Sequence, residues 1–520
     1  MDFVVGKYKQ YRKSFWWMFG FTALLYAFYM INQLTNVGDG FWQQSYYMAG
    51  DYETSCGRWL WPYIDKLSFG LHVEPLTTLF SIAVFVLAMV VVFIALDIDS
   101  KPVSVIGAVL ALSSPIFSAV ISYRFLAVVY ALACFFACAG ACACIKIENN
   151  VKAVLLGAVG IALSMGLYQA YLGVFCLVGI ISLICLSTQE SAGVKDIVTR
   201  IVRFILAVPV GGVLYFIVMK LHLLIRGVEL TEYNGASSVS PLAILLSMPS
   251  SLVEVLTIFF KYLKGSLMIT GALDGRFKVT LIYHIVVGGL FVGLAVLGVI
   301  RQEKDKAIRI AALILGLILI PVGTNFASVI VPGSGFMPQM GFSMAMLSGI
   351  LPVIIVEKLV GTDFEKIKLG AGVLTAVCIV VIYGQSAQVL IDHSAMQQGY
   401  TATKTLANGL VSDFQRRGLL TCDKPFFFIG RPSDNKTFYV TEVYDKANGY
   451  ARVGDFWLTG SNMSGTYRAL FNRVMGVNIT VLGDEYESKA NDEYYQTVPS
   501  YPDEGYILDW DTVIVKISEP

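Results

Sequence analysis

The sequence predicts a polytopic α-helical membrane protein of about eleven crossings, followed by a C-terminal α/β domain on the outer side of the membrane. Three observations carry this. The chain is 56% hydrophobic and only 14% charged, with a mean hydropathy of +0.67 over 520 residues, far outside the soluble range. Apolar runs of spanning length recur from residue 15 to residue 390, and past about residue 391 the composition turns abruptly polar. The net charge of +1 gives no general attraction to anionic polymers, so no nucleic-acid partner is expected; the lipid bilayer is.

Taken in order, the basic stretch MDFVVGKYKQYRKS precedes an apolar run at about 15 to 33. That run is too long for a cleaved signal and lacks its small-residue exit, so it reads as the first span. Further spans are expected at about 76 to 96, 103 to 121, 125 to 145, 152 to 168, 170 to 187, 203 to 224, 279 to 300, 308 to 330, 342 to 357 and 369 to 390. The membrane unit is thus residues 1–391, with large outer loops at 34–75 and 225–278.

Orientation follows from the cations in the connections. With the N-terminus cytoplasmic, the inner loops hold Lys101, Lys146, Lys152, Lys195, Arg200, Arg203, Arg301, Lys304, Lys306, Arg309, Lys358, Lys366 and Lys368. The three short outer turns hold only Arg124, a strong positive-inside asymmetry. An odd number of crossings puts the C-terminus outside the cytoplasmic (inner) membrane, on the same side as both large loops.

The 225–278 connection contains LAILLSMPSSLVEVLTIFFKYLKGSL, in which Pro249, Glu254, Lys261 and Lys264 interrupt a clean crossing. An amphipathic or bent helix lying in the outer interface is expected there. In 392–520, TATKTLANGLVSDFQRRG reads as a helix ended by Gly418, PFFFIG and TFYVTEVY as strands, TYRALFNRVMG as a short helix, and GYILDWDTVIVKIS as a closing strand or hairpin. A unit of that size buries a core of its own.

Seven of the nine cysteines, including Cys134, Cys138 and Cys142 at helical spacing, lie in apolar spans and read as small packing residues rather than metal ligands. Only Cys56 and Cys422 fall in segments expected outside.

The chemistry-bearing residues gather in the first outer loop, NVGDGFWQQSYYMAGDYETSCGRWLWPYIDKL, residues 36 to 67. Asp39 is its first acid and lies between Gly38 and Gly40, which let a backbone approach a ligand closely. For transfer of a sugar from a phosphate carrier, the leaving group is already good, and one carboxylate base suffices to activate an acceptor hydroxyl. Asp39 is the candidate base, with Asp51 and then Glu53 as second choices. A solvated surface connection accounts for any one of these acids equally well.

A carrier phosphate calls for cations at the same boundary. Arg58 and Arg124 grip phosphate through paired hydrogen bonds, and Lys261, Lys264 and Arg276 add charge nearby. Snorkelling to lipid headgroups is the competing role for these side chains. Tyr168, Gln169 and Tyr171, in a short outer turn, present an amide and two phenols to a sugar, or pack helices. His72 and Glu74 form a single His-X-Glu, which leaves a divalent cation open, and no other cofactor is assigned. His222, His284 and His393 carry no assignment. Neither a phosphate-binding loop nor a dinucleotide fingerprint nor a nucleophile elbow is present, which argues against a cytoplasmic nucleotide-dependent reaction.

The order of parts resembles the GtrII family of membrane glucosyltransferases. The features are an early Asp39 after the first span, Gly57-Arg58-Trp59 later in the loop, Tyr168-Gln169-Ala170-Tyr171 between spans, and the terminal PSYPDEGYI (Pro499 to Ile507) and VIVK (Val513 to Lys516). The resemblance implies a GT-C type enzyme that takes a hexose, typically glucose, from an undecaprenyl-phosphate-linked donor and adds it to a surface polysaccharide acceptor such as O-antigen. It also implies inversion at the anomeric carbon with Asp39 as base, and a donor synthase and flippase as partners. Two departures fall on the phosphate-binding set: Gly40 follows Asp39 where relatives often have a second acid, and PGSGFMPQMG (332 to 341) lacks an arginine. A flippase or transporter of lipid-linked sugars, or a polysaccharide polymerase or ligase, is the alternative function. The former favours repeated halves and mid-membrane charges, neither of which is evident here.

Overall fold

The computed structural model describes residues 2–36, 39–43, 46–231, 241–265, 278–330, 336–359, 364–432, 435, 442–443, 463–483 and 493–519. The chain is predominantly helical. Among the described residues, nine helices are long and apolar enough to cross a membrane, beginning with Leu76–Ala95 and ending with Gly372–Arg416. A tenth is a bent pair, Lys101–Leu112 and Pro115–Ser122, which meet at 60°. The bend is local chemistry: Ser113 and Ser114 separate the halves, the Ser114 hydroxyl caps the second helix at Ile116 N, and Pro115 fits its first position without needing an N–H partner.

The expected count of eleven differs from this in three places. The first expected span falls on two helices, Asp2–Leu25 and Ala27–Ile31, divided at Tyr26, and neither is long and apolar enough alone. The 342–357 span is the 13-residue helix Phe342–Ile354, continued by a π-helical turn Ile355–Leu359. The 225–278 connection, where an amphipathic helix or a bent pair in the outer interface is expected, holds one continuous helix, Pro241–Leu263, of which Leu246–Leu263 is itself long and apolar enough to cross. Pro249 removes a single helical hydrogen bond, which a mostly apolar helix tolerates without breaking.

Gln169–Thr188, Leu76–Ala95 and Arg124–Lys146 form the buried centre, and Val194–Arg226 lies at the periphery. Arg124–Lys146 and Asn150–Leu167 form a tight helical hairpin; Asn149 caps the second helix by accepting from Lys152 N at 2.9 Å. Two cations of the expected inner loops act as helix caps. Arg203 donates to the Cys144 and Glu148 carbonyls at 3.0 and 2.7 Å, and Arg309 to those of Ser187, Gln189 and Ala192. They thereby satisfy carbonyls that helix ends leave without intrahelical partners.

At the opposite end, helix Phe364–Arg416 continues for 53 residues, about 80 Å at the α-helical rise, straight through residue 391. The boundary expected there is therefore no break in secondary structure. The helix leads into a three-stranded sheet, order β1-β3-β2, built from β1 (Phe426–Ile429), β2 (Ile507–Asp509) and β3 (Val513–Lys516). β1 runs parallel to β3, and β2 and β3 form the expected hairpin. Alternation along β1 splits its side chains: Phe426 and Phe428 pack on Phe414 and Phe471, while Phe427 and Ile429 form a separate cluster with Ile514. Helix Met463–Ala469 and the turn Leu470–Val474 pack against Asp39–Gln43, joining this region to the first loop. Most of the second expected strand, TFYVTEVY, lies outside the described residues.

Candidate functional site

The first loop is held by contacts that converge on one turn. Gly57 has φ +82°, a conformation glycine adopts without a Cβ penalty. A Cβ there would stand 2.3 Å from the Tyr215 hydroxyl and 3.0 Å from Gln169 Nε2. Both groups grip the turn: Tyr215 donates to Gly57 O at 3.1 Å, and Gln169 Nε2 donates to Cys56 O at 3.0 Å and to the Tyr215 hydroxyl at 3.1 Å. Arg58 follows, its own N–H bonded to Glu53 O at 2.8 Å. Trp59 lies flat on Gly166 and stacks on His222, with ring centroids 5.2 Å apart, which pins the loop to helices Asn150–Leu167 and Val194–Arg226.

The Arg58 guanidinium is thereby set over two rings, 4.9 Å from the centroid of Tyr168 and 5.9 Å from that of Trp61. Those rings belong to a continuous aromatic floor. Tyr168 meets Tyr130 at 4.7 Å, Tyr130 stacks on Tyr171 at 5.9 Å, and Trp61 contacts Tyr47 and Phe125. Aromatic faces attract the guanidinium through the negative potential of their π systems.

Asp39 opens the short helix Asp39–Gln43. Its side chain is exposed, yet surrounding protein holds its carboxyl above the ordinary carboxylate range, opposed by the positive charge of Arg58. The acid and the arginine feel each other's field. Residues just before Asp39 are tied to the turn ahead of Arg124: Asn36 N and the Thr35 hydroxyl both donate to Ser122 O, at 2.8 and 3.2 Å. Gly40 serves this packing. A Cβ on it would fall 2.6 Å from Thr35 Oγ1, so the close approach read from the sequence is to the chain's own side chain.

Arg124 is buried at the start of Arg124–Lys146 and donates to Gln33 O at 2.9 Å. Its charge lowers the pKa of Glu74 against a larger upward push from burial, and it disfavours protonation of His72, which burial already holds below the usual histidine range. Glu74 accepts from the Thr78 hydroxyl at 2.7 Å, and His72 Nε2 bonds Tyr47 O at 3.2 Å. Among the described residues, no group of three or more His, Cys, Asp or Glu is placed to hold a metal ion.

The remaining candidates separate. Asp51 pairs with Arg226 at 2.8 Å on an exposed edge. Glu53 is buried, accepts from Gly50 N at 2.7 Å and from the Tyr47 hydroxyl, and so closes the loop on itself. Lys261 and Lys264 stand at the end of Pro241–Leu263, beside an apolar depression lined by Val253, Leu256 and Phe260. Arg276 lies outside the described residues. Asp39, Arg58 and Tyr168 are therefore the candidates brought together, while both amide protons of Gln169 are spent on the turn. Cys56 and Cys422 are both free thiols.

Sequence reading missed Tyr215 and Asp65. Tyr215 acts on the loop from within a 33-residue apolar helix, a contact that no local signal announces. Asp65, in WPYIDKL, is buried, accepts from Ala49 N at 2.9 Å, and is pushed up to about 7 by burial. Its place on the inward face of Trp61–Leu67 was the available signal.

A family model described as Glucosyl transferase GtrII matches residues 27–356, more than half of the chain, a stretch that includes Asp39, Arg58, Arg124, Tyr168 and Tyr215. No curated protein and no solved structure matches.

Proposed function

The chain belongs to the GtrII glucosyl transferase family, and from that premise we propose that it transfers a glucosyl unit from a polyprenyl-phosphate carrier to a surface polysaccharide, with inversion, on the outer side of the cytoplasmic membrane. The observation that carries the reading is the pairing of an exposed Asp39 with Arg58 held over Tyr168 and Trp61.

Asp39 accepts the acceptor hydroxyl proton as that oxygen forms its bond to the anomeric carbon. The bond from that carbon to the carrier phosphate oxygen breaks with its electron pair, and Arg58 holds the charge that develops on the phosphate. Arg124 adds positive field from the neighbouring turn. Burial raises the affinity of Asp39 for a proton, as suits a base, and the charge of Arg58 acts against that rise. The reaction needs a separate enzyme to load the hexose on the carrier, and a flippase to deliver it. Arg203 and Arg309, which cap helix ends, lie at the end expected in the cytoplasm.

The test is transfer of labelled glucose from synthetic polyprenyl-phosphate-glucose to surface polysaccharide by the purified protein in lipid, with Asp39→Asn beside wild type. A positioned base contributes about 10² to 10⁴-fold, and a loss of that size at normal expression is expected. Equal rates would remove Asp39 from the mechanism, and absence of transfer of any hexose by wild type would bring the flippase reading forward.

A further inference from the structure

We propose that Tyr494 and Trp510 form a saccharide-binding platform that holds a remote sugar of the polysaccharide acceptor, an inference that rests on the transferase reading above. The platform lies outside residues 27–356, so family membership says nothing about it.

Two rings from separate segments meet on the surface of the C-terminal sheet. Tyr494 comes from helix Glu493–Thr497 and is 50% exposed; Trp510 comes from the β2–β3 turn and is 48% exposed. Their centroids are 5.5 Å apart and their planes are tilted by 35°, a shallow cradle rather than a flat stack. Tyr495 supports it from the side, 6.5 Å from Trp510 and packed against the cluster of Phe427, Ile429 and Ile514.

The cradle is held in place by a buried cation. Lys516 on β3 is fully buried, and its Nζ donates to Tyr495 O and Gln496 O at 3.0 and 3.1 Å while pairing with Glu519 at 3.0 Å. These bonds fix the helix carrying Tyr494 to the sheet, and the β2–β3 register fixes Trp510. Aromatic side chains lose little rotamer freedom on binding, and ones already anchored lose less.

The surroundings select the occupant. A pyranose presents an apolar C–H face to an aromatic ring and hydroxyls at its edge. The rim supplies partners for those hydroxyls in Asp511 and in the Lys424–Asp509 pair, whose 2.6 Å contact is partly exposed on both sides. The flanking carboxylates Asp509 and Asp511 oppose an anionic lipid surface. Two rings also offer far less area than the roughly 800 Å² that each partner contributes to a standard protein interface.

Position gives the platform its role. It sits on the sheet face of Phe427 and Ile429, opposite the face of Phe426 and Phe428 that packs on Phe414 and Phe471, whereas the region's contact with Asp39–Gln43 runs through Met463–Val474. A sugar on it is therefore not the one that reacts at Asp39. A long acceptor spans both places, and a single repeat does not.

The experiment uses full-length protein in lipid nanodiscs. The probes are surface polysaccharide purified from the cells that make the protein and single-repeat oligosaccharide released from it. Direct binding is measured calorimetrically, and transfer from polyprenyl-phosphate-glucose is followed separately. Tyr494→Ala and Trp510→Ala should each weaken long-chain binding by about tenfold and raise its KM similarly, leaving kcat and the single-repeat KM unchanged. Trp510→Phe should recover most of the loss. Unchanged long-chain binding in the alanine variants, or an equal loss of kcat on both acceptors, would overturn the platform. If wild type binds polysaccharide through Trp510 but transfers no hexose, the platform stands and the transferase reading falls.

Discussion

Tyr215 and Gly57 meet at a place in the first loop where no side chain fits: the tyrosine hydroxyl bonds the glycine carbonyl at 3.1 Å and fills the space a Cβ would need. The relation makes the orientation of Arg58 a property of helix Val194–Arg226 as much as of the loop. Tyr215→Phe leaves Gly57 O and Gln169 without their partner, at a cost of about 1–3 kcal/mol if no water replaces it. On the proposed mechanism the expected result is a rise in KM for the carrier-linked donor of about tenfold, larger than the fall in kcat, because Arg58 shifts while Asp39 does not. Equal effects on both constants would mean that Tyr215 supports the whole loop rather than Arg58. Gly57→Ala combines a positive φ with a 2.3 Å collision and should lower loop stability and activity together.

Arg58 lowers the proton affinity of Asp39 against the larger opposite push from burial, and this gives a charge-specific signature. The base works deprotonated, so kcat/KM falls as pH drops through its pKa. Arg58→Gln removes the opposing charge, raises the Asp39 pKa further, and moves the acidic limb of the pH–rate profile to higher pH. Arg58→Lys keeps the limb near its wild-type position while losing affinity for the donor, because an ammonium lacks the paired planar donors. An acidic limb that stays in place in Arg58→Gln would show that another group is the base.

What was legible in the sequence was what local pattern controls. Spans such as 76 to 96 and 279 to 300 are long unbroken apolar runs, and Phe426–Ile429 is a strand whose continuous apolar residues serve both faces of a buried sheet. The failures are long-range or marginal. Pro249 and Lys261 weaken the apolar signal of Pro241–Leu263 without breaking its helix, and Ser113-Ser114-Pro115 bends an apolar run that reads as straight. Asp39 and Arg58 are legible as candidates because charged residues stand out in an aromatic loop, and the structure sets each within the other's field. Gln169 was read as a sugar contact because its turn is short and polar, yet its protons go to Cys56 and Tyr215, which lie 113 and 46 residues away in sequence.

Asp51 tests whether an exposed acid near the site is chemically engaged. Its partner Arg226 is 2.8 Å away and its side chain is 63% exposed, and such ion pairs typically contribute about 0–1 kcal/mol. Asp51→Asn should keep transfer within about twofold of wild type and move the unfolding temperature little. A loss comparable to that of Asp39→Asn would transfer the base assignment to Asp51.

Asp65 should make the loop sensitive to pH in a defined direction. Burial raises its folded pKa to about 7, from 3.8 when unfolded, so between those values the folded protein holds a proton that the unfolded chain releases. Stability contributed this way is fully present below about pH 4 and is lost as pH rises towards 7, a span on the order of 4 kcal/mol at 1.36 kcal/mol per pKa unit. Thermal unfolding of the protein in lipid should therefore show a higher midpoint at pH 5 than at pH 8. Asp65→Asn keeps an oxygen for Ala49 N and has no proton to lose, so it should flatten this difference and raise the midpoint at pH 8. Its effect on transfer should follow the same pattern, small at pH 5 and favourable at pH 8, because the segment it stabilises also carries Arg58. An undiminished pH dependence in the variant would assign the titration to another buried group of the loop, with Glu74 the first to replace.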